Sequence, residues 1–214
     1  ASIKVNYFKL EERKKDEDYS TFLIKFLKKH KISLINIFEI VDKPLEESLL
    51  SALDNSKITI NTHQSPMFFL PKKEFKSLTK GSKSYRMAPF YKEMRKKYNI
   101  LVDDQGEPFG DKWSFDDENR KKIPKGTEIP KLPKFKLSKY HSQIVEVIEK
   151  NFDSHPGTLH NIWFPVKRKD ANKQLNDFLK RRFLNFGIYE DAMLENENFL
   201  FHSCLSANMN IGLL

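Results

Sequence analysis

Apolar residues in the first third of the chain alternate between the spacing of strands and the spacing of helices. Every second residue from Ile3 to Tyr7 is apolar, which predicts a short strand. Residues 22–27 have helical spacing, and Ser20 or Asp18 is placed to cap the first turn. The run from Ile32 to Val41 is apolar on both faces and rich in β-branched residues. It therefore predicts a strand that is covered on both sides.

A second helix and another strand follow. Pro44 is placed to open the helix, Asn55 to turn the chain, and residues 57–62 to form the strand. The inner face of the helix is predicted to carry Leu45, Leu49, Leu50 and Leu53. Parallel strands need crossover connections, and helices supply them. The alternation therefore predicts a partial parallel α/β sheet of the Rossmann-like class.

From Ser65 to about Pro133 the pattern changes. Prolines interrupt this segment, and only Pro89–Tyr98 has the spacing of a helix. The aromatic residues Trp113 and Phe115 suggest that part of it packs against a core. We therefore expect a long interdomain linker.

After Pro133 the chain becomes helical again. Residues 144–152 form one amphipathic face, and residues 171–186 form a second, which Gly187 is placed to end in the left-handed C′ position. A third helix is expected to begin near Ser206. This part has the character of an all-α domain.

The net charge of +9 and the pI of about 9.4 suit a phosphate-rich partner. Residues 72–97 contain ten Lys or Arg against two Glu, interleaved with aromatic residues. Such a stretch suits a nucleic-acid backbone, and the alternative is a solvated loop whose aromatic side chains anchor it.

Cys204 is the single cysteine of the chain, so a disulfide framework is excluded and a reducing cytoplasm is expected. A lone cysteine between apolar neighbours is more often a small buried residue than a redox or metal ligand. It cannot by itself hold an iron–sulfur cluster. Both ends of the chain look cut, which predicts a piece of a longer protein.

Two sequence blocks carry a resemblance. The first contains Phe90-Tyr91-Lys92-Glu93-Met94-Arg95, followed by Gly110-Asp111-Lys112-Trp113-Ser114-Phe115-Asp116 and Glu118-Asn119-Arg120. It resembles the iron–sulfur bacterial cryptochromes and photolyases, also called the deoxyribodipyrimidine photolyase-related family and including prokaryotic six-four photolyases. Departures from the family pattern are Lys92 for Arg, Asp111 for Gly and Ser114 for Asn. Asp111 is notable because Gly tolerates a positive φ better than Asp does.

The second block, Asn185–Leu214, contains His202-Ser203-Cys204-Leu205-Ser206 directly before the predicted third helix. A helix start offers unpaired amides that suit a phosphate, whereas the alternative is that Ser206 only caps the helix. The segment is similar to the photolyase sequence that holds the diphosphate of FAD. The resemblance implies that His202, Ser203, Cys204, Leu205 and Ser206 bind the cofactor, together with Tyr189 beside the flavin.

The resemblance also implies an organisation and a function. Residues 1–70 would be a partial α/β photolyase domain, residues 71–133 the interdomain linker, and residues 134–214 the first helices of a truncated FAD-binding domain. The parent protein would be a photolyase-type lyase that uses photoexcited FAD on damaged DNA. A lumazine antenna and an iron–sulfur cluster would belong to the full-length protein and not to this fragment.

For the fragment itself we expect no repair activity, no catalytic or metal-binding residues, and association through exposed apolar helices. Two alternatives to repair remain open. One is a cryptochrome-type blue-light photoreceptor, and the other is a basic nucleic-acid-binding module without a cofactor.

Overall fold

The computed structural model describes residues 3–54 and 56–214 of the chain. The chain divides into two compact units, Ala1–Lys83 (unit 1) and Ser84–Leu214 (unit 2). The turn predicted at Asn55 lies outside the described residues. Within the described residues, none of the helices combines the length and the hydropathy that a membrane span requires.

Unit 1 is an α/β unit in which strands and helices alternate. Its elements are a 3₁₀ turn at Leu10–Glu12, helix α1 at Tyr19–Lys29, strand β1 at Leu34–Phe38, helix α2 at Lys43–Asp54, strand β2 at Thr59–His63 and helix α3 at Lys72–Leu78. The two strands pair in parallel, with Leu34 opposite Thr59 and Phe38 opposite His63. The predicted α/β class with a parallel sheet is confirmed as a small two-stranded sheet with helices.

The core of unit 1 lies between the two helices and one face of the sheet. Leu27 of α1 and Leu49 and Leu53 of α2 are buried, and they pack against Ile35, Ile37, Ile58 and Ile60 of the strand segments. The Asp18 carboxylate caps α1 by accepting a 2.9 Å hydrogen bond from the amide of Thr21. Of the two predicted capping residues, Asp18 is therefore the one used.

Two predictions for unit 1 are wrong. Residues 3–7 have no regular secondary structure, because an extended segment becomes a strand only when a neighbour supplies hydrogen bonds. Strand β1 is covered on one face instead of two. The side chains of Leu34 and Phe38 on its other face are 48% and 58% exposed, since both helices pack on the opposite side.

Unit 2 consists mainly of helices joined by long irregular segments. The helices are α4 at Met87–Tyr98, α5 at His141–Asn151, α6 at Arg168–Arg181, α7 at Phe183–Phe186 and α8 at Ser206–Asn210, with 3₁₀ turns at Asp116–Glu118 and Gly187–Tyr189. Helix α4 ends at Asn99, which has a left-handed φ of 52° and is followed by a 2.9 Å bond from the Ile100 amide to the Arg95 carbonyl. The helix predicted at residues 89–98 is thus confirmed, whereas α3 was not predicted.

The long helix predicted for residues 171–186 is broken. Arg182 leaves helical geometry, with φ of −121° and ψ of −30°, and the separate short helix α7 follows. The break lets Phe183 and Phe186 both pack edge-on against Phe178, at centroid distances of 5.7 and 5.6 Å. Gly187 has a right-handed φ of −61°, so its predicted left-handed C′ role is wrong.

The segment after α4 packs back onto that helix through Trp113. The Nζ atom of Lys92 lies 4.7 Å from the centre of the indole ring, and the Cζ atom of Arg95 lies 5.0 Å from it. The buried Arg95 donates a 3.1 Å hydrogen bond to the Ile100 carbonyl. Trp113 therefore anchors this segment as predicted, whereas Phe115 remains about half exposed.

Candidate functional site

The candidate site is the segment His202–Ser206, which connects a buried apolar cluster to α8. Phe201 before it and Leu205 within it are buried. The His202 amide donates a 2.9 Å hydrogen bond to the Phe199 carbonyl, which closes a turn at the start of the segment. His202, Ser203 and Cys204 are half-buried, and Ser206 is exposed. The segment is thus held at two buried points.

The backbone of this segment presents a row of donors. Cys204 has a left-handed φ of 56°, and Leu205 returns to the right-handed region with φ of −97° and ψ of −11°. Among the described residues, none accepts a hydrogen bond from the backbone amides of Ser203 through Asn208. Successive amides in alternating left- and right-handed conformations form a concavity that binds anions. The segment therefore carries several backbone donors that no acceptor among the described residues uses.

Two buried amide side chains support the segment from the protein interior. Gln174 of α6 donates a 2.8 Å hydrogen bond from its Nε2 atom to the Cys204 carbonyl. Asn208 of α8 donates a 3.3 Å hydrogen bond from its Nδ2 atom to the Oε1 atom of Gln174. Both side chains are fully buried. This Gln174–Asn208 pair fixes the carbonyl side of Cys204, so that its hydrogen bonding is satisfied from the protein interior.

Arg182, directly after α6, is a fully buried guanidinium. Its Nη1 atom donates a 2.9 Å hydrogen bond to Asp177, and its Nη2 atom donates to the carbonyls of Pro130 and Lys131 at 3.3 and 3.0 Å. Within the part of the chain that the structure describes, the Nε atom of Arg182 and the Oδ1 atom of Asn208 are buried without a partner. Two buried polar atoms in this part of unit 2 thus have no hydrogen-bond partner among the described residues.

The thiol of Cys204 has low reactivity in this environment. Burial raises the pKa of its thiol, and the positive charge of Arg182 only partly opposes that rise. The thiol is therefore protonated at neutral pH. Among the described residues, no cluster of three or more His, Cys, Asp or Glu side chains could hold a metal ion.

Tyr189 lies near the start of the segment. Its ring stacks on Phe201 at a centroid distance of 5.4 Å and an interplanar angle of 29°, in the cluster that also contains Ile123 and Leu200. Because Phe201 directly precedes His202, the structure places Tyr189 beside the predicted segment.

The alternative role for Ser206, as the residue that caps the third helix, is wrong. Ser206 is the first residue of α8, the cap position belongs to Leu205, and that position has no side-chain capping bond. The supporting residues Gln174, Arg182 and Asn208 were not predicted. In the sequence, Gln174 and Arg182 stand at helical spacing from the apolar residues Ala171 and Phe178, but polar residues at such positions do not by themselves indicate a supporting role.

The basic stretch at residues 72–97 is divided between the two units and partly neutralised. Lys72 pairs with Glu46 at 2.9 Å, and Lys96 approaches Glu107 at 3.9 Å. The guanidinium of Arg95 is buried against Trp113. Part of the predicted positive charge is thus used within the fold.

Comparisons with known proteins define the family. Residues 1–164 match the family described as "Deoxyribodipyrimidine photo-lyase-related protein". The chain is 36% identical to a "(6-4) photolyase" of Agrobacterium fabrum over 157 residues, which is 73% of this chain and 31% of that protein. It is also 35% identical to an uncharacterized protein of Acanthamoeba polyphaga mimivirus over 94 residues, 42% of this chain and 47% of that protein. The chain belongs to the deoxyribodipyrimidine photolyase-related family.

The match covers part of this chain and part of each relative. The chain spans less than half the length of either relative. The family match ends at residue 164, so the segment His202–Ser206 lies beyond it.

Proposed function

We propose that this chain is the N-terminal portion of a light-dependent DNA repair flavoprotein, a photolyase that splits pyrimidine photoproducts. The observation that carries the proposal is the row of free amides from Ser203 to Asn208 around the left-handed residue Cys204. Membership of the photolyase-related family supports it, and the relative named "(6-4) photolyase" makes the six-four photoproduct the first lesion to test.

In this proposal the segment His202–Ser206 holds the diphosphate of FAD. The amides donate to the phosphate oxygens, and the hydroxyls of Ser203 and Ser206 supply two further donors. The Gln174–Asn208 pair fixes the Cys204 carbonyl, so that the amides keep their arrangement before the cofactor binds. Tyr189 would lie beside the flavin from its position on Phe201. Reduced, photoexcited FAD would supply the electron that opens the lesion.

The proposal includes a domain organisation. Residues 1–70 form a partial α/β domain, residues 71–133 an interdomain linker and residues 134–214 the first helices of the FAD-binding domain. An iron–sulfur cluster and a lumazine antenna would belong to other parts of the protein, because the single cysteine of this chain cannot hold a cluster.

The fragment alone would be inactive and would associate with itself. Leu184 and Met193 in its last third are 91% and 94% exposed, so both side chains are available to pack against a second copy of the chain. Sedimentation analysis of the isolated chain should show concentration-dependent association. A monomer with stoichiometric, tightly bound FAD would contradict this part of the proposal.

The first experiment is to purify the protein that carries this chain and to record its flavin absorption. A duplex with one six-four photoproduct and a duplex with one cyclobutane dimer are then illuminated with blue light in its presence. Repair of either lesion would support the proposal that the protein is a photolyase. Bound flavin with no repair of either lesion would favour the cryptochrome-type photoreceptor, and a colourless protein would favour a cofactor-free nucleic-acid-binding module.

The proposed diphosphate site at His202–Ser206 is tested by Ser206→Asp, with Ser206→Asn as the matched control. Asp at the first turn of a helix stabilises the helix, so Ser206→Asp should not unfold α8. Its negative charge would, however, repel a diphosphate at the free amides. We expect the flavin content per protein to fall strongly in Ser206→Asp and little in Ser206→Asn. Equal flavin content in both variants would place the diphosphate elsewhere.

A further inference from the structure

Most of the uncompensated positive charge of the chain lies in two segments of unit 2. Residues 121–139 contain seven Lys and one Glu, and helix α6 contains five Lys or Arg and two Asp. Their net charge is +9, equal to that of the whole chain, so the remaining residues balance to zero. This concentration distinguishes the two segments from the stretch 72–97, whose charge is offset by the acidic residues that follow it.

The fold places these two segments side by side. Arg181 at the end of α6 donates a 3.2 Å hydrogen bond to the Lys131 carbonyl, and the buried Arg182 donates to the same carbonyl at 3.0 Å. About two turns earlier in α6, the Nζ atom of Lys173 lies 5.9 Å from the centre of the Phe135 ring. The segment 130–136 therefore runs along α6 in the opposite direction to the helix.

This arrangement produces two rows of lysines. Lys169, Lys173 and Lys180 are spaced by four and seven residues, so they share one face of α6 over a length of about 16 Å. The neighbouring row is formed by Lys131, Lys134 and Lys136. We call these six residues the basic surface. All six side chains are exposed.

The ammonium groups of the basic surface are not neutralised by the fold. Within residues 3–54 and 56–214, no carboxylate lies within ion-pair distance of any of the six lysines. The nearby Asp177 is already engaged by Arg181 at 3.1 Å and by Arg182 at 2.9 Å. The lysine charges are thus available to an external partner.

We propose that the basic surface binds the phosphate backbone of a nucleic acid without regard to base sequence. Duplex DNA presents one phosphate per strand about every 3.4 Å along its axis, so a 16 Å row of lysines can meet several of them. Lysines act as flexible point charges, which suits contact with a backbone more than the reading of bases. Because the partner class is the substrate class of a photolyase, this inference rests on the proposed function and deepens it.

The test is binding of a short undamaged DNA duplex to the chain, in the dark and over a range of NaCl concentrations. The variant Lys134→Ala/Lys173→Ala/Lys180→Ala removes three charges from the basic surface. Each lost phosphate contact lowers the slope of log K against log[salt] by about 0.9, so we expect the slope to fall by about two to three. Restoring charge with Arg at the same three positions should restore the slope.

The matched control is Lys28→Ala/Lys29→Ala/Lys57→Ala, which removes the same charge from exposed positions of unit 1. It should leave the slope unchanged. The inference is overturned if the duplex does not bind at low salt, or if both triple variants weaken binding equally. It is also overturned if vesicles rich in phosphatidylserine bind through these lysines and the duplex does not.

The outcome can be separated from that of the proposed function. A protein that contains no flavin and whose duplex binding depends on the basic surface would support this inference and contradict the proposal of a flavoprotein. Light-dependent repair by a protein whose affinity for the duplex does not depend on these lysines would support the proposed function and contradict this inference.

Discussion

The side-chain amide of Gln174 donates a 2.8 Å hydrogen bond to the backbone carbonyl of Cys204, thirty residues further along the chain. The bond joins α6 to the left-handed residue before α8. A residue with φ of 56° that is not Gly is under strain, and such strain persists where the surrounding structure fixes it. We interpret Gln174 as the residue that holds the candidate site in shape from the protein interior.

Replacement of Gln174 by Leu should therefore destabilise unit 2. Leu fills a similar volume but leaves the Cys204 carbonyl and the Asn208 amide without their partner, which costs about 1–3 kcal/mol for a buried group. Both tryptophans of the chain lie in unit 2, so urea unfolding followed by tryptophan fluorescence reports on that unit. Asn172→Leu, on the exposed side of the same helix, is the control and should change stability by less than about 0.5 kcal/mol. Equal effects of the two changes would contradict the supporting role.

Arg181 and Arg182 provide a matched comparison between an exposed and a buried guanidinium. Both donate to Asp177 and to the Lys131 carbonyl. Arg182 is fully buried, so Arg182→Ala leaves a cavity and unpaired polar groups and should cost about 3–5 kcal/mol. Arg181→Ala removes the same kind of contacts at the surface and should cost no more than about 1 kcal/mol. If the two variants unfold at the same urea concentration, burial does not determine the contribution of Arg182.

Local sequence pattern predicted the elements whose formation depends on their own residues. Helices α1, α2, α5 and α8 and the parallel pair of strands follow from periodicity and capping. Sequence pattern failed where a distant partner decides the outcome. Residues 3–7 have strand spacing but no neighbouring strand, and the helical spacing of Phe183 and Phe186 continues across a break that depends on how they pack against Phe178.

In the candidate site, too, local sequence predicted some residues, whereas others depend on distant partners. The segment His202–Ser206 was predicted from its resemblance to the photolyase sequence that holds the diphosphate of FAD, and the donors before a predicted helix agree with that resemblance. Gln174 and Arg182 were not identifiable, since polar residues at core-facing positions of a helix look like interruptions of its apolar face. Only the fold shows that they meet the Cys204 carbonyl and the carbonyls of the segment 130–131.

Gly187 and Gly126 of unit 2 provide a comparison between a right-handed and a left-handed glycine, and the sequence prediction for Gly187 was wrong. Gly187 has a helical φ of −61°, and a Cβ atom added there would meet nothing within 4 Å. Gly187→Ala should therefore stabilise unit 2 by about 0.5–1 kcal/mol. Gly126 has equal space but a φ of +84°, so Gly126→Ala should destabilise by about 1–2 kcal/mol. Urea unfolding followed by tryptophan fluorescence measures both changes. Destabilisation by Gly187→Ala would instead support the left-handed helix end that the sequence predicted.

Cys204 should react slowly with thiol reagents. Burial raises the pKa of its thiol, with the charge of Arg182 as a weaker opposing influence, and the thiolate is the reactive form. We expect alkylation by iodoacetamide at pH 8 to be several-fold slower than for a short cysteine peptide, and its pH–rate profile to lie at higher pH. Cys204 is the single cysteine, so mass spectrometry assigns the product without ambiguity, and Cys204→Ser should take up none. Reaction as fast as that of the peptide would instead indicate an activated thiol.

Asp18 gives unit 1 a defined dependence of stability on pH. The Thr21 hydroxyl donates to the Asp18 carboxylate at 2.6 Å and the Thr21 amide at 2.9 Å, and these bonds lower the pKa of Asp18. A carboxyl group whose pKa is lower in the folded state stabilises the fold above its unfolded pKa of about 3.9. That stabilisation is lost as the pH falls through the folded pKa.

Asp18→Asn tests this dependence because Asn also caps helices well but carries no charge. The difference in unfolding free energy between the original chain and Asp18→Asn should be complete at neutral pH and should disappear as the pH falls through the lowered pKa of Asp18. Far-UV circular dichroism follows both units, whereas tryptophan fluorescence follows unit 2, because unit 1 contains no tryptophan. A transition that circular dichroism shows and fluorescence does not is therefore assigned to unit 1. A difference that persists unchanged into acid would mean that the geometry of the cap, and not its charge, stabilises α1. Asp18→Ala, which removes both the cap and the charge, should be less stable than Asp18→Asn at every pH.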